Sequence, residues 1–146
     1  MGRVLWIGLA LCAAACHAQQ ERVVKITVAN AAVRAGASTE YDRVTIAQPG
    51  IKLAVVRREG DWYRVRLGDA QEAYVSSAVC ELLPEGTAPS QAKVTDVSAR
   101  PYEKGTRVTI SISAPILFRI VQRLRPAALE MQLYNCLLYT SPSPRD

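Results

Sequence analysis

Few residues in this 146-residue chain could perform catalytic chemistry. Catalytic zinc sites and Cys–His nucleophile pairs depend on histidine, and the chain has a single one, His17. Asp61, Asp69 and Glu72 lie close together in sequence, but their spacing is not the Asp-x-Asp-x-Asp of a calcium loop. The sequence therefore predicts no catalytic residue, no metal ligand and no cofactor within this chain.

Trp62, Arg64 and Arg66 form a pattern that suits binding instead. They alternate with an apolar series that begins at Tyr63, and successive side chains of a strand point to opposite faces. An exposed aromatic ring beside two guanidinium groups suits a stacked sugar or a peptide carboxylate. The alternative is that Trp62 folds over one end of the domain and serves only the packing of the core.

The stretch Ile51–Val79 contains these residues, and the rest of the chain is arranged around it. It is predicted to form three short strands, separated by polar breaks at Arg57–Asp61 and Gly68-Asp69. Period-2 alternation between Gly/Asp breaks indicates a small antiparallel β barrel or sandwich. Two earlier strands are predicted around Val24–Val28 and Val44–Ile46. The predicted fold class is all-β.

Three short motifs in this region resemble a known family. Ala32–Tyr41, AVRAGASTEY, is similar to the "NVRSGPSTxY" opening of bacterial SH3-like (SH3b) domains. Gly60–Val65 followed by Ala73–Ser77 resembles that family's "GxWxxV … GWV" pattern. The resemblance covers Val24 to Leu83, which predicts a small SH3-like barrel over residues 22–83. Two departures are Ala37 where the family has proline, and Ala73-Tyr74 where it has Gly-Trp.

The resemblance also implies a neighbourhood for the tryptophan. SH3-like barrels bring the opening loop and the last strand beside the strand that carries it, which would place Tyr41 and Tyr74 near Trp62. The candidate ligand-binding residues are therefore Trp62, Arg64, Arg66, Tyr41 and Tyr74.

Residues 84–93 interrupt the pattern with two prolines and a glycine, which predicts a linker. From Val94 a new alternating pattern begins, with Val108, Ile110 and Ile112 expected to point inward. Residues 94–135 resemble the start of an AMIN domain through the segments TRVTI and PAALEMQLYN. Such domains are β sandwiches that hold exported cell-wall enzymes and secretin components at the envelope. The resemblance implies a truncated β sandwich with an unpaired edge and an uncovered apolar face.

Both ends of the chain have their own interpretation. Residues 1–18 have the basic, apolar and small-residue regions of a secretory signal peptide. An alternative within them is lipidation of Cys16 in a lipoprotein box, which would attach the chain to a membrane. Residues 136–146 end in SPSPRD and resemble a translated sequencing-adapter read-through, the alternative being a genuine disordered terminus. We expect the chain to be exported to the periplasm or cell envelope.

The charge and the cysteine content narrow the possible functions of the chain. The net charge of +5 is mild and its basic residues are scattered, whereas a nucleic-acid binder would cluster them on one element; no nucleic-acid partner is expected. Without the signal, Cys80 and Cys136 remain, and no disulfide is proposed. Cys80 is interpreted as a small buried hydrophobe or, alternatively, a reactive thiol.

Together the resemblances imply the non-catalytic, peptidoglycan-binding part of an exported cell-wall enzyme, such as an N-acetylmuramoyl-L-alanine amidase with a zinc catalytic domain further along. The alternative is an envelope adaptor or assembly protein that binds other proteins through its SH3-like domain. The expected partners are peptidoglycan or a cell-wall peptide in the first case and envelope proteins in the second. The residues of this chain leave open whether the intact protein is an enzyme.

Overall fold

Strands dominate residues 21–138, which are the part of the chain that the computed structural model describes. The all-β fold class is confirmed. The predicted signal peptide with Cys16, and residues 139–146 of the predicted tail, lie outside the described residues. Within the described part, no helix is both long and apolar enough to cross a membrane.

The described residues form twelve strands and one short 3₁₀ turn at Ser77–Val79. The strands are β1 (Arg22–Ile26), β2 (Ala31–Arg34), β3 (Arg43–Ala47), β4 (Lys52–Glu59), β5 (Trp62–Arg66), β6 (Glu72–Ser76), β7 (Cys80–Leu82), β8 (Ala92–Tyr102), β9 (Gly105–Ile112), β10 (Phe118–Leu124), β11 (Ala127–Leu133) and β12 (Cys136–Leu138).

The first seven strands form one antiparallel sheet in the order β3-β2-β6-β5-β4-β1-β7. The three strands predicted within Ile51–Val79 are confirmed as β4, β5 and β6. The predicted face parity also holds, because Val65 and Leu67 are fully buried and Tyr63 is half-buried against the core. The core is made of aliphatic side chains contributed by most strands of this sheet: Val24, Ile26, Ala31, Val33, Ala47, Ile51, Leu53, Val65, Leu67, Ala73 and Val75.

Two details of this sheet differ from the sequence prediction. The polar break expected at Arg57–Asp61 is shorter, because Arg57 and Arg58 continue strand β4 in register with β5. Gly60, with φ +58°, makes the turn, a conformation that glycine adopts without steric cost. Strand β2 was not predicted, since Ala31–Arg34 has only one large apolar residue, Val33, to mark it.

The region after the linker forms two hairpins. Strand β8 pairs with β9, and β10 pairs with β11, each in antiparallel register. Strand β12, which comes from the start of the predicted tail, pairs in parallel with β8. The expected uncovered apolar face is present on both hairpins. Its exposed members include Val97, Val108, Ile112, Phe118, Ile120, Leu129 and Met131. The inward position expected for Val108 and Ile112 is therefore wrong for the described residues, because no second layer covers them.

The core of the barrel continues into this second region. Leu117 and Tyr134 are 3% and 5% exposed and belong to the same cluster as the strands of the large sheet. The Thr45 hydroxyl donates to the Phe118 carbonyl at 2.5 Å. The gap left at the junction is about 10 Å³, at the lower limit of the space that a water molecule needs. The barrel and the base of the β10–β11 hairpin thus share one core across the predicted linker.

Candidate ligand-binding face

Strand β5 presents Trp62 and Arg64 on the face opposite the core residue Val65. The ladder fixes their neighbours, because Trp62 is opposite Glu59 of β4 and Ser76 of β6. Side chains directly opposite each other in an antiparallel ladder lie on the same face, with Cβ atoms about 4.5–5.5 Å apart. The face is therefore set by strand register and not by loop conformation.

A row of four residues crosses this face from strand to strand. Arg34 of β2 is opposite Tyr74 of β6, Tyr74 is opposite Arg64 of β5, and Arg64 is opposite Arg57 of β4. With strands about 4.8 Å apart, the row spans about 14 Å. It places an aromatic ring between cations, with Trp62 next to the row on β5.

Carboxylates hold two of the three cations of the row, Arg57 and Arg64, in place. Glu59 accepts from Arg57 Nε at 2.6 Å and raises the pKa of that guanidinium through this hydrogen bond. The Tyr74 hydroxyl donates to the same carboxylate at 3.3 Å. Arg64 forms an ion pair with Glu72. Because these side chains are partly exposed, the ion pairs are weak and can be exchanged for those of a ligand.

Trp62 is half-buried, and among the described residues it is not one of the partly buried side chains that pack against the core cluster. Trp62 lies on the face opposite Val65, but it is half-buried and not fully exposed as expected. Its role in binding stays a prediction.

Tyr41 extends the face at the opening loop. Its ring lies over Gly36, where an added Cβ would come within 2.5 Å of the ring, so glycine is required at this contact. Tyr41 as a residue is 54% exposed. Its carbonyl accepts a hydrogen bond from Arg34 Nη1 at 2.8 Å, and this bond ties the loop to the row of cations.

Arg66 lies at the other end of the strand from Trp62, but it is only two residues from Arg64 on the same face and directly opposite Glu72. It is four residues beyond Trp62 on the same strand, a distance of about 13 Å. Its guanidinium is paired with Glu21 at 2.5 Å. The structure thus brings together Trp62, Arg64 and Tyr74 and connects Tyr41 to them through Arg34. It places Arg66 beside Arg64, at the end of the face away from Trp62.

Sequence reasoning missed four residues of this face: Arg34, Arg57, Glu59 and Glu72. Arg34 lies inside the opening motif Ala32–Tyr41, and this position could have identified it as a candidate site residue. The positions of the other three depend on the register between β4, β5 and β6, and a bulge between Val55 and Arg57 shifts that register.

Cys80 is a half-buried thiol that packs against the core. Its Sγ donates to the Ser76 carbonyl at 3.0 Å, and burial raises the pKa of the thiol from 9.0 to about 11. A thiol with a raised pKa is a poor nucleophile at neutral pH. Among residues 21–138, no three His, Cys, Asp or Glu side chains are grouped so that they could hold a metal ion.

Comparisons with known proteins match different parts of the chain. A solved structure of NlpC1 from Trichomonas vaginalis aligns with 88% of this chain and 49% of its own, at 15% sequence identity and a TM-score of 0.37. This chain therefore spans about half the length of that protein. No curated protein matches the sequence. The family of the bacterial SH3 domain matches residues 29–79, which include Arg34, Tyr41, Trp62, Arg64 and Tyr74. Residues 29–79 of this chain are a bacterial SH3 domain.

Proposed function

We propose that this chain is the non-catalytic, peptidoglycan-binding part of an exported cell-wall enzyme, of which an N-acetylmuramoyl-L-alanine amidase is the best candidate. Bacterial SH3 domains commonly bind peptidoglycan and are typical of extracytoplasmic cell-wall proteins. The observation that carries the proposal is the row Arg34–Tyr74–Arg64–Arg57 beside Trp62. The AMIN-like interpretation of residues 94–135 and the exported location of this chain stay predictions.

The chemistry of the face matches the two parts of peptidoglycan. The indole of Trp62 offers an apolar surface for stacking on a sugar ring. Arg34 and Arg64 offer guanidinium donors to the carboxylates of the peptide stem, and such charge-assisted hydrogen bonds are the stronger kind. Glu72 keeps Arg64 oriented and the Tyr41 carbonyl keeps Arg34 oriented before a ligand arrives, which lowers the entropy lost on binding.

The test is sedimentation of the chain Gln19–Asp146, which contains every described residue, with purified sacculi. Trp62→Ala and Arg64→Ala are each expected to lower the bound fraction to that of a control without sacculi, while the thermal midpoint stays within a few degrees. Tyr102→Ala is the matched control, because Tyr102 is another exposed aromatic residue with an arginine, Arg107, 5.9 Å from its ring.

Trp62 is also the only tryptophan of Gln19–Asp146. Its fluorescence should therefore change when muropeptides are added. Sacculus binding that is the same in wild type and Trp62→Ala would disprove this assignment. So would an equal loss of binding in Tyr102→Ala.

A further inference from the structure

A groove lies beside strand β4 and shares Arg57 and Arg66 with the candidate ligand-binding face. Its apolar lining comes from four side chains of β4, β5 and β7: Val55, Val56, Tyr63 and Leu82. Its charged lining comes from four arginines and two glutamates: Arg22, Arg57, Arg58, Arg66, Glu21 and Glu85. It therefore combines an apolar floor with an excess of positive charge.

The bulge in β4 explains why apolar side chains face solvent here. The register between β4 and β5 shifts between Val55 and Arg57, so Val56 is the extra residue. Bulges re-aim side chains and bend the strand that carries them. Val56 is 41% exposed, and Leu82 on β7 is 42% exposed. Two aliphatic side chains thus remain uncovered within one groove.

Most of the positive charges are already matched by carboxylates of the chain. Arg66 pairs with Glu21 at 2.5 Å, and Arg22 lies 4.0 Å from Glu85. Arg57 pairs with Glu59, as described above. These are exposed pairs and contribute little to stability.

Arg58 differs from these three. Its guanidinium lies over the ring of Tyr63, 5.7 Å from the centroid, and its Nε donates to the Gly60 carbonyl at 2.9 Å. Among residues 21–138 no carboxylate lies within ion-pair distance of Arg58. The stacking holds the guanidinium at a fixed position while most of its donors remain available.

We propose that this groove binds an extended acidic segment of a partner protein. A carboxylate of the segment binds Arg58, and an apolar side chain next to it packs on Val56 and Leu82. Charge complementarity selects the partner, because Arg58 is the one arginine of the lining without a carboxylate partner among residues 21–138. Arg57 and Arg66 line both surfaces, whereas Trp62, Tyr74 and Arg64 take no part in this binding, so their variants separate it from the proposed function.

The experiment uses Gln19–Asp146 and a fluorescein-labelled hexapeptide in which glutamate and valine alternate. A peptide of the same length with lysine in place of glutamate is the control ligand. Fluorescence anisotropy should rise with the acidic peptide alone, and higher salt should weaken the binding. Arg58→Ala should raise the Kd about tenfold, the loss expected for one charge-assisted hydrogen bond.

Val56→Asp provides a second variant, which repels the acidic peptide without removing an arginine. Arg100→Ala, an exposed arginine on β8, should leave the Kd unchanged. Trp62→Ala should also bind the peptide as the wild type does, even where it no longer binds sacculi. Equal binding of the acidic and basic peptides, or an unchanged Kd in both Arg58→Ala and Val56→Asp, would overturn the proposal. So would binding to vesicles of anionic lipid without binding to the acidic peptide.

Discussion

Leu117→Ala should destabilise the SH3 barrel, although Leu117 lies more than thirty residues beyond the matched domain. Leu117 is 3% exposed and packs in the cluster that contains Leu53 and Leu67. Buried Leu→Ala substitutions cost about 2–5 kcal/mol through lost burial and the remaining cavity. Because Leu117 comes from a flanking segment that can partly collapse into the space, the lower half of that range is expected here.

The neighbouring residue Tyr134 gives an independent check on the same junction. It is 5% exposed, and its hydroxyl is buried without a hydrogen-bond partner within residues 21–138. Removing an unsatisfied buried hydroxyl while keeping the ring can be neutral or stabilising. Tyr134→Phe should therefore leave the free energy of unfolding unchanged or raise it, whereas Tyr134→Ala should lower it.

Urea unfolding of Gln19–Asp146, followed by Trp62 fluorescence, measures the free energy of unfolding of the wild type and of the Leu117 and Tyr134 variants. Trp62 lies in β5, so its signal reports the barrel. Leu129→Ala is the matched control, because Leu129 is 70% exposed on β11 and its truncation should change stability by no more than about 0.5 kcal/mol. If Leu117→Ala and Leu129→Ala unfold at the same urea concentration, the shared core is refuted.

Two further predictions concern the exposed faces and the free thiol. Gln19–Asp146 should associate with rising concentration, because β9 is an edge strand beside an uncovered apolar face. Val108→Lys should reduce the association in light scattering, whereas Thr109→Lys, on the opposite face of β9, should reduce it less; equal effects would contradict the role of the apolar face. Alkylation of Cys80 by iodoacetamide should keep rising with pH up to about 11, because only the thiolate reacts, whereas in urea the rise should level off near 9. An alkylation rate that levels off near pH 9 in the folded chain would contradict the burial of the thiol. The same raised pKa means that the stability it contributes below pH 9 is lost as pH rises from 9 to about 11, because the unfolded thiol ionises first.

The strands of the barrel could be predicted where alternation was strong. In Ile51–Val79 the period-2 pattern gave both the strands and the buried face, as Val65 and Leu67 show. The pattern failed for β2, because Ala31 and Ala32 are apolar but too small to mark a face. Alternation also predicted the β9 strand correctly, yet it could not say whether another layer would cover Val108.

The sequence predicted only part of the candidate site, for a different reason. Trp62 and Arg64 share a strand, so their common face follows from spacing alone. Which residues stand beside them depends on register, and a single bulged residue in β4 decides it. That bulge brings Arg57 opposite Arg64 and exposes Val56 in the neighbouring groove. The spacing of residues along one strand does not predict which residues lie opposite them on the next strand.

The shared core also bears on how binding data from this chain should be interpreted. A barrel of about 60 residues buries a smaller fraction of its surface than a large domain does and is marginally stable, so the contribution of Leu117 can decide how much of it is folded. Leu117→Ala would then weaken sacculus binding without touching the ligand, since only the folded fraction binds. If sedimentation with sacculi is run with less urea, or at a lower temperature closer to that of maximum stability, Leu117→Ala should bind again. The same change should not restore binding in Trp62→Ala, because that variant is folded and lacks the stacking surface.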